Sequence, residues 1–486
     1  MPERHKHTLN RRNVLKVTGA GLGAVGLAGC TGDSDDDGDD TAAGNGDTNG
    51  NGNGDDPEPD IDVDLSGVEF EYWNAQFSQS AAARRAAERL HASFESRTGA
   101  SVEISWEGYG NIVAPTWAEA FQRGDYPVLY DSVSQFGGTF VQGDWVYPAE
   151  EYLDEFPDEI VDNIDWILDT VRHQYRDFGD DVLFEIPYGF NMFSPFIART
   201  DHFEAAGLDP EEDFPPTNYD ELIDVATTLQ EDGPGTYGYQ IHGDVLDITD
   251  VLIQWTLADG GANGLFLNEE VTDTIIDNDV WVENLGNYVD VFQEYGLSNP
   301  GTPASADEEV VPQLASGEIS MSQIDTQNLP MLIESAPDLL DDGSIMWAPA
   351  WSGPENQRGR FTTMTYGITR PPEDADEDDW EQRQQGAMEY IKMMLSEEVQ
   401  LRLFEDYGLM PVREDVWELL PDRTDNAFAT QITMAQESDF GPTAHPQLPA
   451  YLYGTIPGHF QEALQGNVSA EEACQNAASD LRDQLF

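Results

Sequence analysis

Seven side chains fall where the chain would turn out of a parallel sheet: Trp73, Asn74, Phe77, Tyr109, Asp131, Ser134 and Gln135. Their chemistry is that of holding a small molecule. Aromatic rings stack on its apolar faces, while carboxylate, amide and hydroxyl groups fix its polar edge. Each ring also has a plainer reading as core packing, Phe77 most of all. Each acid, in a chain with 94 Asp and Glu, has a plainer reading as solvated surface. The motifs of common hydrolases are missing: there is no Gly-x-Ser-x-Gly and no His-Glu-x-x-His, and the eight histidines show no ligand spacing. Lys392 follows Ile391, so the mature chain has no Walker A lysine. A secreted glycoside hydrolase using two carboxylates stays open as an alternative, because any pair of so many acids can be proposed. A lipid-anchored surface or sensory protein is a third reading.

The elements that would position these residues are legible as a period change. Alternation over 68–73 predicts a strand, 80–97 a helix ending at Gly99, 102–106 a strand, 114–123 a helix and 128–133 a strand. Such a β-α-β-α-β succession makes a parallel sheet, whose ligands sit at the carboxyl ends of the strands. Further on, Phe184, Ile186, Phe193 and Phe196 flank Pro187-Tyr188-Gly189, which reads as two strands joined at a hinge. A helix over 202–206 closes at Gly207, where a left-handed residue costs little. After Pro215-Pro216, Asn218 with Glu221 forms a capping box for a helix striped by Leu222, Val225, Ala226 and Leu229.

The run IPYGF, ART-D, AAGL, PPTNYDEL over 185–222 resembles the extracellular solute-binding proteins of family 1, the maltose-binding-protein-like receptors of ABC importers. Asn218 stands for the family's usual Thr and Tyr219 for its Trp. SQFGGTFVQGDWVYPAEEYL, DITDVLIQWTLADGGANG, LASGEISMSQIDTQN, AMEYIKMMLSEEVQLRLFEDYGLMPVRED and the terminal helix extend the resemblance over 67–486. It implies an α/β, two-lobe, periplasmic-binding-protein-like fold of type II with a hinge of crossing segments. Lobe 1 would be 67–187 with 362–408, and lobe 2 would be 188–361 with 409–486. It further implies Asp247, Asp250, Trp351 and Tyr453 as ligand-facing, with Tyr188 at the crossing as a ligand contact that leans towards packing, and Trp145 in the core. Asp325 and Gln327 occupy the region where the family carries an aromatic, which removes a stacking surface, and Thr362-Thr363 replace a Gly-Gly. The implied function is capture of a small solute, a sugar or oligosaccharide first, by hinge closure and its delivery to an ABC permease with a separate ATPase subunit. A monomer without cofactor or metal is implied, and Arg358 and Arg360 would be the route to an anionic ligand.

The chain's start carries addresses. Arg11-Arg12-Asn13-Val14-Leu15-Lys16 resembles a twin-arginine signal, and Val17 to Ala28 is too short to span a bilayer. Leu27-Ala28-Gly29-Cys30 resembles a lipobox, so 1–29 would be a haloarchaeal-type lipoprotein signal and Cys30 the lipidated first residue, exported by the Tat route. Residues 31–66 hold thirteen acids and no Lys, Arg or aromatic, which predicts that 30–66 is a disordered, self-repelling tether. The whole chain carries −72, and loss of 1–29, with a net +4, leaves about −76. Such a surface holds water in molar salt, where charges are screened within about 3 Å. An extreme halophile is expected, and nucleic acid is excluded as a partner for want of a basic patch. With Cys30 lipidated, Cys474 is left as a buried apolar residue. Asn467-Val468-Ser469 is a glycosylation sequon, yet Ser469 with Glu472 also makes a capping box for the last helix, and the cap is the favoured reading of the sequence.

Overall fold

Among the described residues, ten strands form two sheets. In chain order they are β1 (Glu69–Asn74), β2 (Ser101–Trp106), β3 (Leu129–Val133), β4 (Ile186–Met192), β5 (Phe196–Arg199), β6 (Tyr237–Gln240), β7 (Ile319–Gln323), β8 (Ile345–Ala348), β9 (Phe361–Ile368) and β10 (Met410–Pro411). They belong to a computed structural model that describes residues 61–486 except 62, 79–80, 109–114, 176–177, 179–181, 246, 260–265, 269–271, 350–359, 374, 421–424 and 438–450. The expectations for the leader, Cys30, Tyr109, Trp351 and Arg358 lie outside the described residues.

The predicted β-α-β-α-β unit is present. β1 buries Phe70, Tyr72 and Asn74 on alternate positions and pairs in parallel with β2 and β3. Parallel neighbours cannot be joined by a tight turn. The helices Ala81–Thr98 and Pro115–Arg123 supply the crossovers. Three further strands complete the sheet in the order β10-β4-β9-β3-β1-β2, with β9 antiparallel to both β3 and β4. The second sheet runs β6-β7-β5-β8, parallel only between β6 and β7. The folded body starts earlier than the composition implies, because Leu65 is buried and its N–H donates to the Thr98 carbonyl at 2.7 Å.

The Pro187-Tyr188-Gly189 break is not a junction between two strands. β4 runs straight through it, with a register shift against β9 between Pro187 and Gly189. A bulge of this kind accommodates a proline that has no N–H to give to the ladder. The chain leaves the first sheet after Met192 and enters the second at Phe196, so the crossing is Phe193-Ser194-Pro195. Ser194 sits there at φ 57, in the left-handed region that side chains other than glycine seldom occupy.

Local punctuation elsewhere follows the sequence closely. Gly207 closes the helix Thr200–Ala206 at φ 79. Asn218 caps the helix Tyr219–Asp232 by accepting from the Glu221 N–H at 3.0 Å. Glu221 returns its bond one residue early, to the N–H and hydroxyl of Thr217 at 2.9 and 2.6 Å. Ser469 caps the helix Ala470–Leu485, in which Cys474 is buried and its thiol is pushed up to about 12 by that burial. Among the described residues no helix is long and apolar enough to cross a membrane, and no group of three or more His, Cys, Asp or Glu could hold a metal ion.

Candidate functional site

The residues expected on the rim of the first sheet divide by face. Trp73 and Asn74 are neighbours on one strand and must point to opposite sides. Trp73 turns outward onto Trp117 and Phe121, with ring centroids at 5.2 and 6.0 Å, and donates its indole N–H to Glu71. Asn74 is buried, accepting from the Phe77 N–H at 3.0 Å and donating to the Tyr72 hydroxyl at 2.7 Å. Asp131 is buried beside it. Its carboxylate accepts from the N–H of Ala75 at 2.5 Å and from the Tyr72 hydroxyl at 2.9 Å, with longer bonds from Gln76 and Tyr188. Phe77 packs on Tyr407 at 4.3 Å, and Tyr188 stacks on Tyr366 at 4.2 Å. These four residues build and pin the loop after β1 inside a tyrosine-rich core. Burial pushes the Asp131 carboxyl up to about 7, against the lowering by its hydrogen bonds.

Ser134 and Gln135 do reach the edge. They follow β3 in the short 3₁₀ turn Ser134–Phe136, alongside the opening residues of β9. Both are buried, and the Ser134 hydroxyl and both polar atoms of the Gln135 amide have no hydrogen-bond partner among the described residues. The hydroxyls of Thr362 and Thr363 at the start of β9 share that condition. Leaving such groups dry and unpaired costs about 1 to 3 kcal/mol each. By strand alternation Thr362 and Thr363 face opposite sides of the sheet, so Ser134 and Gln135, joined by one of the two threonines, form the neutral polar set that a solute would satisfy.

Arg360, just before β9, is the hub of the junction. It is 1 % exposed. Its guanidinium pairs with Asp250, lies 4.3 Å from the Phe193 ring centroid and donates to the Tyr453 hydroxyl at 2.9 Å. Its backbone N–H donates to Gln254 at 3.2 Å and its carbonyl accepts from Phe193 at 3.1 Å. Tyr453 belongs to a π-helical turn, Tyr451–Thr455, a geometry that recurs at functional sites. Its ring meets Phe136 edge-on at 5.6 Å, which ties the second sheet's surroundings to the Ser134–Phe136 turn. Asp250, Tyr453, Ser134 and Gln135 are thus linked through Arg360, which the sequence points to only as a route to an anionic ligand, and through Phe136, to which it does not point. The signal available was an arginine opening an apolar strand in a chain with only 22 basic residues.

Asp247 begins a chain of carboxylates behind that hub. It accepts from the Asp307 N–H at 2.7 Å, Asp307 accepts from the Asp325 N–H at 3.1 Å, and Asp325 accepts from the Ser194 N–H at 2.8 Å. The last bond holds the left-handed crossing residue. Gln323 holds its other side by donating to the Ser194 carbonyl at 2.8 Å, while accepting from Tyr239 and Trp255. Burial raises all three carboxyls, Asp325 to about 7, and repulsion from Asp325 and Asp247 raises Asp307 further. His242, whose Nε2 lies 2.5 Å from the Gln323 carbonyl, is lowered to about 4 by burial and is neutral at pH 7.

Two sheets are thus linked by crossing segments, with buried polar groups that lack partners among the described residues at the end of β3. The chain belongs to the bacterial extracellular solute-binding protein family, whose profile matches residues 58–401. Solved structures of similar fold include a solute-binding protein of Agrobacterium radiobacter in complex with ribitol, at 18% identity and TM-score 0.71 over 87% of this chain and 100% of that one. Another, of Thermotoga lettingae bound with alpha-D-tagatose, has 20% identity and TM-score 0.69 over 86% and 100%. A maltose-bound receptor of T. maritima has 16% identity and TM-score 0.68 over 86% and 99%. No curated protein matches by sequence. The fold is periplasmic-binding-protein-like, and the chain is a binding protein, not an enzyme.

Proposed function

We propose that this protein captures a neutral, polyhydroxylated solute between its two sheets and delivers it to an ABC permease driven by a separate ATPase subunit. The observation that carries the reading is the set of buried, unpaired and uncharged groups on Ser134 and Gln135 at the end of β3. Hydroxyl groups of a sugar or polyol complement such a set, each acting as donor and acceptor at once. An anionic solute has less to gain, because Arg360 is already engaged by Asp250 and Tyr453. The relatives' ligands, ribitol, tagatose and maltose, belong to the same chemical class. In this reading the first crossing lies at 193–195, not at 187/188, and the last falls after β10, not at 408/409, because Met410–Pro411 pairs with β4 in the first sheet. Closure is a hinge motion about the crossings, biased by a solute that touches both sides.

A thermal-shift screen in molar KCl with pentitols, hexoses and maltose tests the reading, since a solute at a hundred times its Kd adds about 2.7 kcal/mol to the native state. Once a ligand is found, Gln135→Ala is expected to weaken it roughly 5- to 100-fold, the equivalent of about 1 to 3 kcal/mol, with little change in unliganded melting temperature. Unchanged affinity in that variant, or no response to any neutral sugar or polyol, would overturn the proposal.

The start of the chain supports placing the receptor on the outer face of the membrane. Twin-arginine export of a folded precursor, cleavage before Cys30 and lipidation of that cysteine would anchor it, and its acidic surface suits molar salt. Cys30→Ser is expected to move the folded protein from washed membranes into the medium. Retention on the membranes refutes the anchor.

A further inference from the structure

We propose that Asn467 is a site of N-linked glycosylation, an inference that rests on the extracellular reading of the chain. Asn467-Val468-Ser469 is the one Asn-x-Ser/Thr triplet in the sequence. A glycan can be added to a folded chain only where the acceptor amide is reachable, and that is a condition the sequence alone does not settle. The fold meets it. Asn467 is exposed, in the turn that joins the helix Ile456–Leu464 to the helix Ala470–Leu485. Gly466, at φ 77, makes the turn, and the Asn467 N–H closes it onto the Glu462 carbonyl at 2.9 Å. The side-chain amide projects from this fixed base and donates to the Glu462 carboxylate at 2.9 Å, an exposed bond that a transferase can replace at small cost.

Ser469 carries two duties that do not conflict. Its Oγ accepts the cap bond from the Glu472 N–H at 3.1 Å, which uses a lone pair and leaves the hydroxyl hydrogen to donate. In the transfer itself, the amide nitrogen of Asn467 attacks the anomeric carbon of a lipid-phosphate-linked oligosaccharide. The new N–C bond replaces the C–O bond to phosphate, the lipid phosphate leaves, and one amide proton passes to a base on the transferase. The helix Ile456–Leu464 starts beside Tyr453 and is roughly 14 Å long at 1.5 Å per residue, so the glycan projects from the end away from the solute junction.

The test is mass spectrometry of the full-length protein purified from its native membranes. Cleavage after Glu462 and Glu471 releases the peptide carrying Asn467. It is expected to gain the mass of one or more sugars in the parent and in Ser469→Thr. The gain is lost in Asn467→Gln and also in Ser469→Asp, where aspartate keeps the helix cap and destroys the sequon. Loss in Ser469→Asp with an unshifted melting temperature assigns the effect to the sequon. An unmodified Asn467 in a parent protein that external protease can reach on whole cells overturns the site and leaves the extracellular reading standing. A protein that protease cannot reach refutes that reading instead.

Discussion

Arg360→Met is expected to cost about 3 to 5 kcal/mol of folding stability, the loss typical when one partner of a buried ion pair is removed and the other charge stays behind. Methionine keeps the apolar stem over Phe193 and deletes the charge, so the loss is assigned to the stranded Asp250 carboxylate. Adding Asp250→Asn is expected to recover most of it, because a neutral amide can be buried at far lower cost than an unpaired charge. Urea unfolding of the parent, both single variants and the double variant in fixed molar KCl gives the coupling directly. Salt does not mask the effect, since buried pairs are screened much less than exposed ones. If the two single losses simply add in the double variant, Arg360 and Asp250 are not a unit and the hub is wrongly drawn. The same substitution frees the Tyr453 hydroxyl, while the main-chain N–H at 360 keeps its bond to Gln254, so solute affinity is expected to fall along with stability.

What the sequence reveals about this protein depends on how far apart the interacting residues are. The parallel unit β1–β2–β3, the Asn218 and Ser469 caps and the Gly207 helix end were legible because their causes lie within a few residues. Asp250 and Tyr453, named from the family pattern, both meet Arg360 in the fold. Arg360 is legible only as a route to an anionic ligand, because its partner Tyr453 lies 93 residues away in sequence and the pairing leaves no local signal. The hinge was read from Pro187-Tyr188-Gly189 because proline and glycine usually punctuate strands, but a bulge lets β4 absorb both. The actual crossing turns on Ser194, whose left-handed conformation is fixed by Asp325 and Gln323, partners more than a hundred residues away. Asp131 was chosen for its place at a strand end, and strand-end position does not say whether a side chain faces out to a ligand or in to its own loop.

That inward turn of Asp131 has a measurable consequence in pH. Its carboxyl titrates near 3.8 in an unfolded chain and is pushed up to about 7 in the fold, where burial outweighs the hydrogen bonds from Ala75 and Tyr72. Between those values the native state binds more protons than the unfolded state, so stability falls as pH rises. The contribution is fully present below about pH 4 and lost by the time pH passes about 7. At 1.36 kcal/mol per pH unit the window amounts to at most about 4 kcal/mol. Asparagine at 131 keeps an oxygen for the loop N–H groups and offers an amide to the tyrosine hydroxyls, without a titrating proton. The carboxyls of Asp247, Asp307 and Asp325 titrate alike in parent and variant. The difference between parent and Asp131→Asn unfolding free energies, measured in urea from pH 4.5 to 7.5 at constant molar KCl, therefore isolates this one group. It is expected to shift in favour of the variant by several kcal/mol across the range. Parallel curves would mean that Asp131 stays ionised in the fold and that its loop is held by a charged, not a protonated, carboxyl.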